Sequence, residues 1–360
     1  MYRVYRLIYI TVFFVIWSCK QDKNVDPVLD EVAETDDKQS APRTKEELRE
    51  DFTALRFGMF IHFNMGTYYE IEWVEPGKDP MSFNPTQLDI GQWADAAKSA
   101  NMKYAVLTAK HHDGFCLWDT EVTEYDVASS PLKGRDLVKE YVEEFRKREI
   151  EPHLYFSIWD RTLGIEDTIT PQDKILIKTQ LKELLTNYGN IPTLTIDGWG
   201  NCGTIWNRED YDEIVGYIKS LQPKILVTDH YQVQRVFNRE RGDKGYQKDP
   251  DGKEFITLEE AYAINDFLHF EEPLGEWAWA PTGNSYASHQ GPTIQSKWFW
   301  KKSFPTEELM SVDEIVNGHL NVLKNRNCNL LLNAAPNPSG LMDENVVKRL
   351  AEVGNAWNTE

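Results

Sequence analysis

Chemistry along this chain concentrates where short apolar runs end. Tyr104 to Thr108 is apolar and β-branched in character and runs abruptly into Ala109-Lys110-His111-His112-Asp113-Gly114-Phe115. Such a run reads as a buried strand whose C-terminal end opens into a site. Successive strand side chains point to opposite faces, so two adjacent histidines imply that the backbone turns there and presents both. The event recurs. Residues 56–61 lead into His62, 152–158 into Trp159 and Asp160, 192–196 into Asp197-Gly198-Trp199, and 225–228 into Asp229-His230. Residues 267–270 lead into Glu271 and Glu272, and 329–332 into Asn333. Carboxylates, histidines and aromatics gathered at one mouth could perform acid–base or nucleophilic chemistry on a polar substrate.

Segments of helical period separate these runs: Thr86 to Ala100, Leu137 to Arg148, Gln172 to Tyr188, Tyr211 to Leu221 and Val312 to Leu323. Strand followed by helix, repeated, predicts parallel βα units. In a closed barrel of such units the active site lies at the C-terminal strand ends, with residues from several strands. Seven strands are legible and an eighth is placed near Gly275 to Pro281. The expected fold is therefore α/β, a (β/α)8 barrel, with an open doubly wound sheet as the alternative.

Composition narrows the partners. The formal charge is -19, from 58 acidic and 39 basic residues, which disfavours nucleic acid because phosphate neutralisation needs clustered Lys and Arg. Twelve Trp, 16 Tyr and 16 Phe are present, many near the strand ends, where their faces could stack on pyranose rings or simply fill the core. Beyond Cys19, the cysteines Cys116, Cys202 and Cys328 form no disulfide framework, and no zinc spacing, dinucleotide or Walker motif, or GxSxG elbow occurs. No metal or other cofactor is expected.

The N-terminus reads as separate from the fold. A basic start precedes the apolar run Leu7 to Trp17, too short to span a membrane and of signal-peptide length. It closes on Ser18-Cys19, similar to a bacterial lipoprotein box, though Trp17 is an unusual neighbour and a plain secretory signal is the alternative. Residues 1–19 are expected to be a signal ending at a lipidated Cys19, residues 20–45 a disordered tether, and residues 46–360 the catalytic domain. This organisation implies a bacterial cell envelope location, with the membrane met only through the lipid.

Several segments carry a resemblance to the α-L-fucosidases of glycoside hydrolase family 29. They are Phe57 to His62, Glu72-Trp73, Phe83-Asn84-Pro85, Ala109 to Trp118, Arg135 to Val138, Leu194 to Gly198 and Asn329 to Pro336, in family order. The resemblance implies a retaining hydrolase with Asp197 as nucleophile. It implies a Glu as acid/base, first Glu271, with Glu272 and Glu276 as alternatives and Glu240 or Glu254 beyond them. His62, His111 and His112 match hydroxyl-binding histidines, and Glu72 and Trp73 a pair lining the subsite. Tyr155 matches a tyrosine near the nucleophile. One of Arg235, Arg239 and Arg241 could supply an arginine. Thr195 departs from the family, which usually has an aromatic there, and Trp199 is the residue that could compensate. Many relatives carry a β-sandwich after the barrel; the sequence ends at Glu360 after a predicted helix over Asn345 to Trp357, so no C-terminal β-sandwich is expected. Terminal α-L-fucose on oligosaccharides or glycans is the implied substrate. Alternatives are α-L-galactose or a related algal or plant sugar, and a non-catalytic carbohydrate-binding lipoprotein.

Overall fold

The computed structural model describes residues 43–200, 203–229, 231–241, 255–272 and 279–357. Helix α1 (Lys45–Ala54) opens the chain behind a capping box, in which Thr44 and Glu47 satisfy each other's backbone N–H groups. The last residues of the expected tether thus belong to the folded unit. Strand β1 (Phe57–Ile61) follows, then α2 (Met65–Tyr69), α3 (Ile90–Ser99), β2 (Tyr104–Lys110), α4 (Leu137–Lys147) and β3 (Glu151–Ser157). The chain continues through α5 (Pro171–Thr186), β4 (Thr193–Asp197), α6 (Arg208–Leu221), β5 (Leu226–Thr228), α7 (Tyr231–Arg241) and α8 (Leu258–Ile264). It closes with β6 (Leu268–Glu271), β7 (Ser288–Gly291), a π-helix (Glu314–Leu320), α9 (Asn321–Lys324), β8 (Cys328–Asn333) and α10 (Glu344–Ala356).

The eight strands among the described residues are all parallel, and each pairs with its sequence neighbour except across β5 and β6, while β1 pairs with β8. That order is a barrel, not an open sheet with a switch point. Side chains bridge the remaining seam between β5 and β6: the Val227 amide donates to the Asp266 carboxylate at 2.8 Å and the Thr228 hydroxyl to the Phe267 carbonyl at 2.6 Å. Lys219 and Lys45 pair with the same carboxylate and, against burial, hold it below its ordinary pKa. One expectation needs correction. The strand that completes the barrel is Ser288–Gly291, whereas the sequence placed it near 275–281, of which residues 275–278 lie outside the described residues. Its Ser-His-Gln-Gly sequence is polar because its side chains bond to other segments, Ser288 to Asn284 and Asn327, His289 to His269 and Gln290 to the Ala280 amide, and apolar patterning could not reveal it.

Alternate residues of each strand point into the barrel. Near its N-terminal end lie Tyr104, His153 and His289, and Phe52 of α1 packs against all three as a plug, with ring centroids 5.0–6.2 Å apart across the group. Gly58 of β1 is required there, since a Cβ would lie 2.4 Å from the Tyr104 ring. Above this layer come Phe60, Tyr155 and His269, and above them the strand-end groups. Burying rings this size contributes roughly 1.5–3 kcal/mol each, enough to fix the barrel that aims the upper layer.

Candidate active site

At the C-terminal end of the barrel lies a cavity of about 170 Å3. It is lined by Phe60, His62, Glu72, Trp73, His111, His112, Tyr155, Asp197, Gln234, His269, Glu271 and Trp298. Of the ten catalytic and substrate-binding residues expected from the sequence, nine lie among the described residues, and eight of these, all but Trp199, line this cavity. A larger cleft of about 420 Å3 adjoins it and shares Glu72, Glu271 and Trp298.

Asp197 ends β4. Its Oδ2 accepts the Tyr155 hydroxyl at 2.5 Å and its Oδ1 accepts the Gly198 amide at 2.5 Å. These two donors orient the carboxylate from opposite ends. Gly198 has φ +99°, and a Cβ there would lie 2.6 Å from the Trp159 backbone, so glycine alone permits this turn. The turn also explains why Trp199 leaves the site. After a left-handed residue its ring swings outward, is 1% exposed, and packs 5.9 Å from Tyr211 of α6. It belongs to the core between barrel and helix and does not compensate for Thr195.

His62 continues from β1. The Asn333 amide donates to the Trp298 carbonyl at 2.9 Å, which turns its Oδ1 toward His62 Nδ1 at 2.7 Å. Nδ1 therefore carries the hydrogen and Nε2 a lone pair. Burial pushes the imidazole pKa down to about 3, against the opposing pull of Asn333 and Asp197, so the ring is neutral. His112 is set the same way. The Ser157 hydroxyl donates to the Trp159 carbonyl at 2.8 Å and accepts from His112 Nδ1 at 2.7 Å. That leaves His112 Nε2 3.6 Å from Asp197 Oδ2. His111 stacks at 13° to the Tyr155 ring, with centroids 5.8 Å apart. A register shift between Thr108 and Lys110 is what lets both neighbouring histidines reach the mouth.

Trp73 stands half exposed at the rim, edge-on to Trp159 at 5.5 Å. Glu271 ends β6 and lines both cavities. Its neighbour Glu272 lines only the outer cleft and is engaged by His319 of the π-helix at 2.9 Å. That pairing raises the His319 pKa although burial opposes it. Arg235 is buried against the Trp206 ring, 5.2 Å away, and does not line the cavity. Cys19, Cys202, Glu254 and Glu276 lie outside the described residues, as do the side chains of Arg239, Glu240 and Arg241.

His269, Gln234, Trp298 and Asn333 join the site beyond the expected set. Asn333 stands at a strand end, a position that already signals function, whereas His269 lies within β6, one layer below. Gln234 sits on α7, where nothing in the sequence distinguishes it.

A β/α barrel with a carboxylate at the end of β4, a second at the end of β6, and histidines between them has the architecture of a glycosidase. Comparison with known proteins makes the class specific. The family model described as Alpha-L-fucosidase matches residues 78–359. The chain is 31% identical over 309 residues to alpha-L-fucosidase 1 of Arabidopsis thaliana, covering 84% of this chain and 58% of that protein. Among solved structures, a glycoside hydrolase 29 family member from a rumen bacterium is 26% identical with a TM-score of 0.64, over 86% of this chain and 56% of that one. Alpha-L-fucosidase isoenzyme 1 from Paenibacillus thiaminolyticus is 25% identical with a TM-score of 0.66, over 87% and 75%. The chain belongs to the α-L-fucosidase family. It spans a little over half the length of the plant relative.

Proposed function

We propose that this protein is a retaining exo-glycosidase that releases terminal α-L-fucose from oligosaccharides or glycans. The observation that carries the reading is the place of the two carboxylates. Asp197 lies in the inner cavity with both oxygens hydrogen-bonded, and Glu271 lies where that cavity meets the outer cleft. A sugar in the inner cavity and its leaving group in the cleft would put the glycosidic oxygen beside Glu271.

In the proposed reaction Asp197 attacks the anomeric carbon as Glu271 protonates the departing oxygen. Glu271 then takes a proton from water, which displaces Asp197 from the glycosyl-enzyme. His62, through the lone pair on Nε2, accepts a hydrogen bond from a sugar hydroxyl, and the Trp73 and Trp298 rings cover the apolar faces. Tyr155 holds Asp197 in line and neutralises charge as the carboxylate returns.

The test is a panel of aryl α-L-fucoside, α-L-galactoside and β-D-galactoside substrates, with Asp197→Ala as control. The α-L-fucoside should be preferred, Asp197→Ala should lose several orders of magnitude, and azide should restore part of the loss. Preference for the α-L-galactoside would keep the mechanism and change the sugar. No turnover of any substrate by a protein that binds fucose would favour a non-catalytic binder. The N-terminal reading is likewise a proposal: Cys19 carries lipid and anchors the protein to a bacterial envelope membrane, a reading supported by the sequence of residues 1–19 alone.

A further inference from the structure

Lys110 is fully buried at the end of β2 and makes no contact with the cavity. Its ammonium donates to Asp160 Oδ2 and to Gln180 Oε1, both at 2.9 Å, and lies 4.3 Å over the Phe156 ring. Asp160 is buried as completely, and its Oδ1 accepts the Leu163 amide at 2.9 Å. A buried ion pair is a poor source of net stability, because desolvating both charges offsets most of their attraction, and an apolar pair of the same volume often does as well. What such a pair does supply is one fixed geometry.

That geometry leads to the site. The Asp160 carboxylate packs directly under Gly114, where a Cβ would lie 2.2 Å from Oδ1. The next amide, Arg161 N–H, donates to the His112 carbonyl at 3.0 Å, and the Thr162 hydroxyl to the Asp113 carbonyl at 2.6 Å. The loop that carries His112 is thus held on the β3 loop through Asp160, and Lys110 holds Asp160. We propose that Lys110 is a positioning residue for the reaction, acting through Asp160 to set His112 against Asp197. The proposal rests on the reading of Asp197 as nucleophile.

The test is the variant Lys110→Met with Asp160→Asn, which removes both charges together and leaves neither stranded. It should retain the circular dichroism spectrum and a cooperative melt, keep KM for an aryl α-L-fucoside within about threefold, and lose kcat by at least about tenfold. In a His112→Ala background the same two changes should lower kcat less than twofold, since the residue they act through is gone. Imidazole resonances of His112 should shift in the double variant, a readout that needs no turnover. A folded double variant with normal kcat, or an equal loss with and without His112, would overturn the proposal. If the double variant does not fold, Gln180→Met loosens the same ammonium and carries the same comparison, with an expected loss of about threefold confined to the His112 background. An active Asp197→Ala enzyme would defeat the nucleophile reading instead, and the resonance comparison would still report whether Lys110 sets His112.

Discussion

Lowering the pH should destabilise this barrel through histidines that it holds neutral, and His289 isolates the effect. The ring is fully buried on β7, pairs with His269 at 2.7 Å, and packs 5.1 Å from Phe267 and 5.9 Å from Phe52. Burial, with a smaller push from His153, lowers its pKa from 6.5 to about 3. Between those values the unfolded chain binds a proton that the native state refuses, so stability rises with pH and falls as pH drops below 6.5. From there down to pH 5 is about 1.5 units, and at about 1.36 kcal/mol per unit the histidine removes about 2 kcal/mol of stability. His289→Met fills a similar volume and cannot titrate. Urea unfolding of both proteins at pH 7 and pH 5 reads the difference. Whatever the substitution does to stability at pH 7, the native protein should lose about 2 kcal/mol more than the variant on acidification. Equal losses would mean that His289 is protonated in the folded barrel, and the packing argument would fail. His62, with its pKa also near 3, adds to the acid sensitivity of both proteins equally.

Tyr155→Phe removes the donor to Asp197; a hydrogen bond to a charged group is worth about 1.5–3 kcal/mol, so kcat should fall at least tenfold with the fold intact, and unchanged kcat would exclude the orienting role. Glu271→Ala should slow substrates with poor leaving groups far more than activated aryl glycosides, because only the former need a proton on departure. Glu272→Ala should show no such dependence and should instead lower the pKa of His319, measurable by NMR, as its carboxylate partner is lost. Finding the leaving-group signature at neither would send the search to Glu276 or to another loop. Cys19→Ala should move the protein from the membrane fraction to the soluble one; equal membrane retention would exclude lipidation at that residue.

How the strands end was legible in the sequence, and so was most of the site. An apolar strand must stay in the core, so an abrupt change to His, Asp or Glu marks the point where the chain leaves it. That logic marks His62, His111, His112, Asp197 and Glu271, and the repeated alternation of strand and helix implies the barrel. It failed at β7, whose Ser288, His289 and Gln290 are polar yet fully buried. Partners come from other strands and loops: His269 for His289 and Asn327 for Ser288. Periodicity reads a residue's preference for water, and it cannot see a partner that arrives from elsewhere in the chain.

Orientation was the other thing only tertiary structure decided. Asp197 and Trp199 are two residues apart, and regular alternation would put both on the same face. The positive φ of Gly198 breaks that alternation and sends Trp199 into the core beside Tyr211. Glu271 and Glu272 are adjacent and chemically identical, yet one borders both cavities while the other is taken by a histidine from the π-helix. Residue type and spacing determined which groups could do chemistry here. Which of them face the same few cubic ångströms, and in which tautomer, was decided by contacts such as Asn333 with His62 and Ser157 with His112, made between residues far apart in sequence.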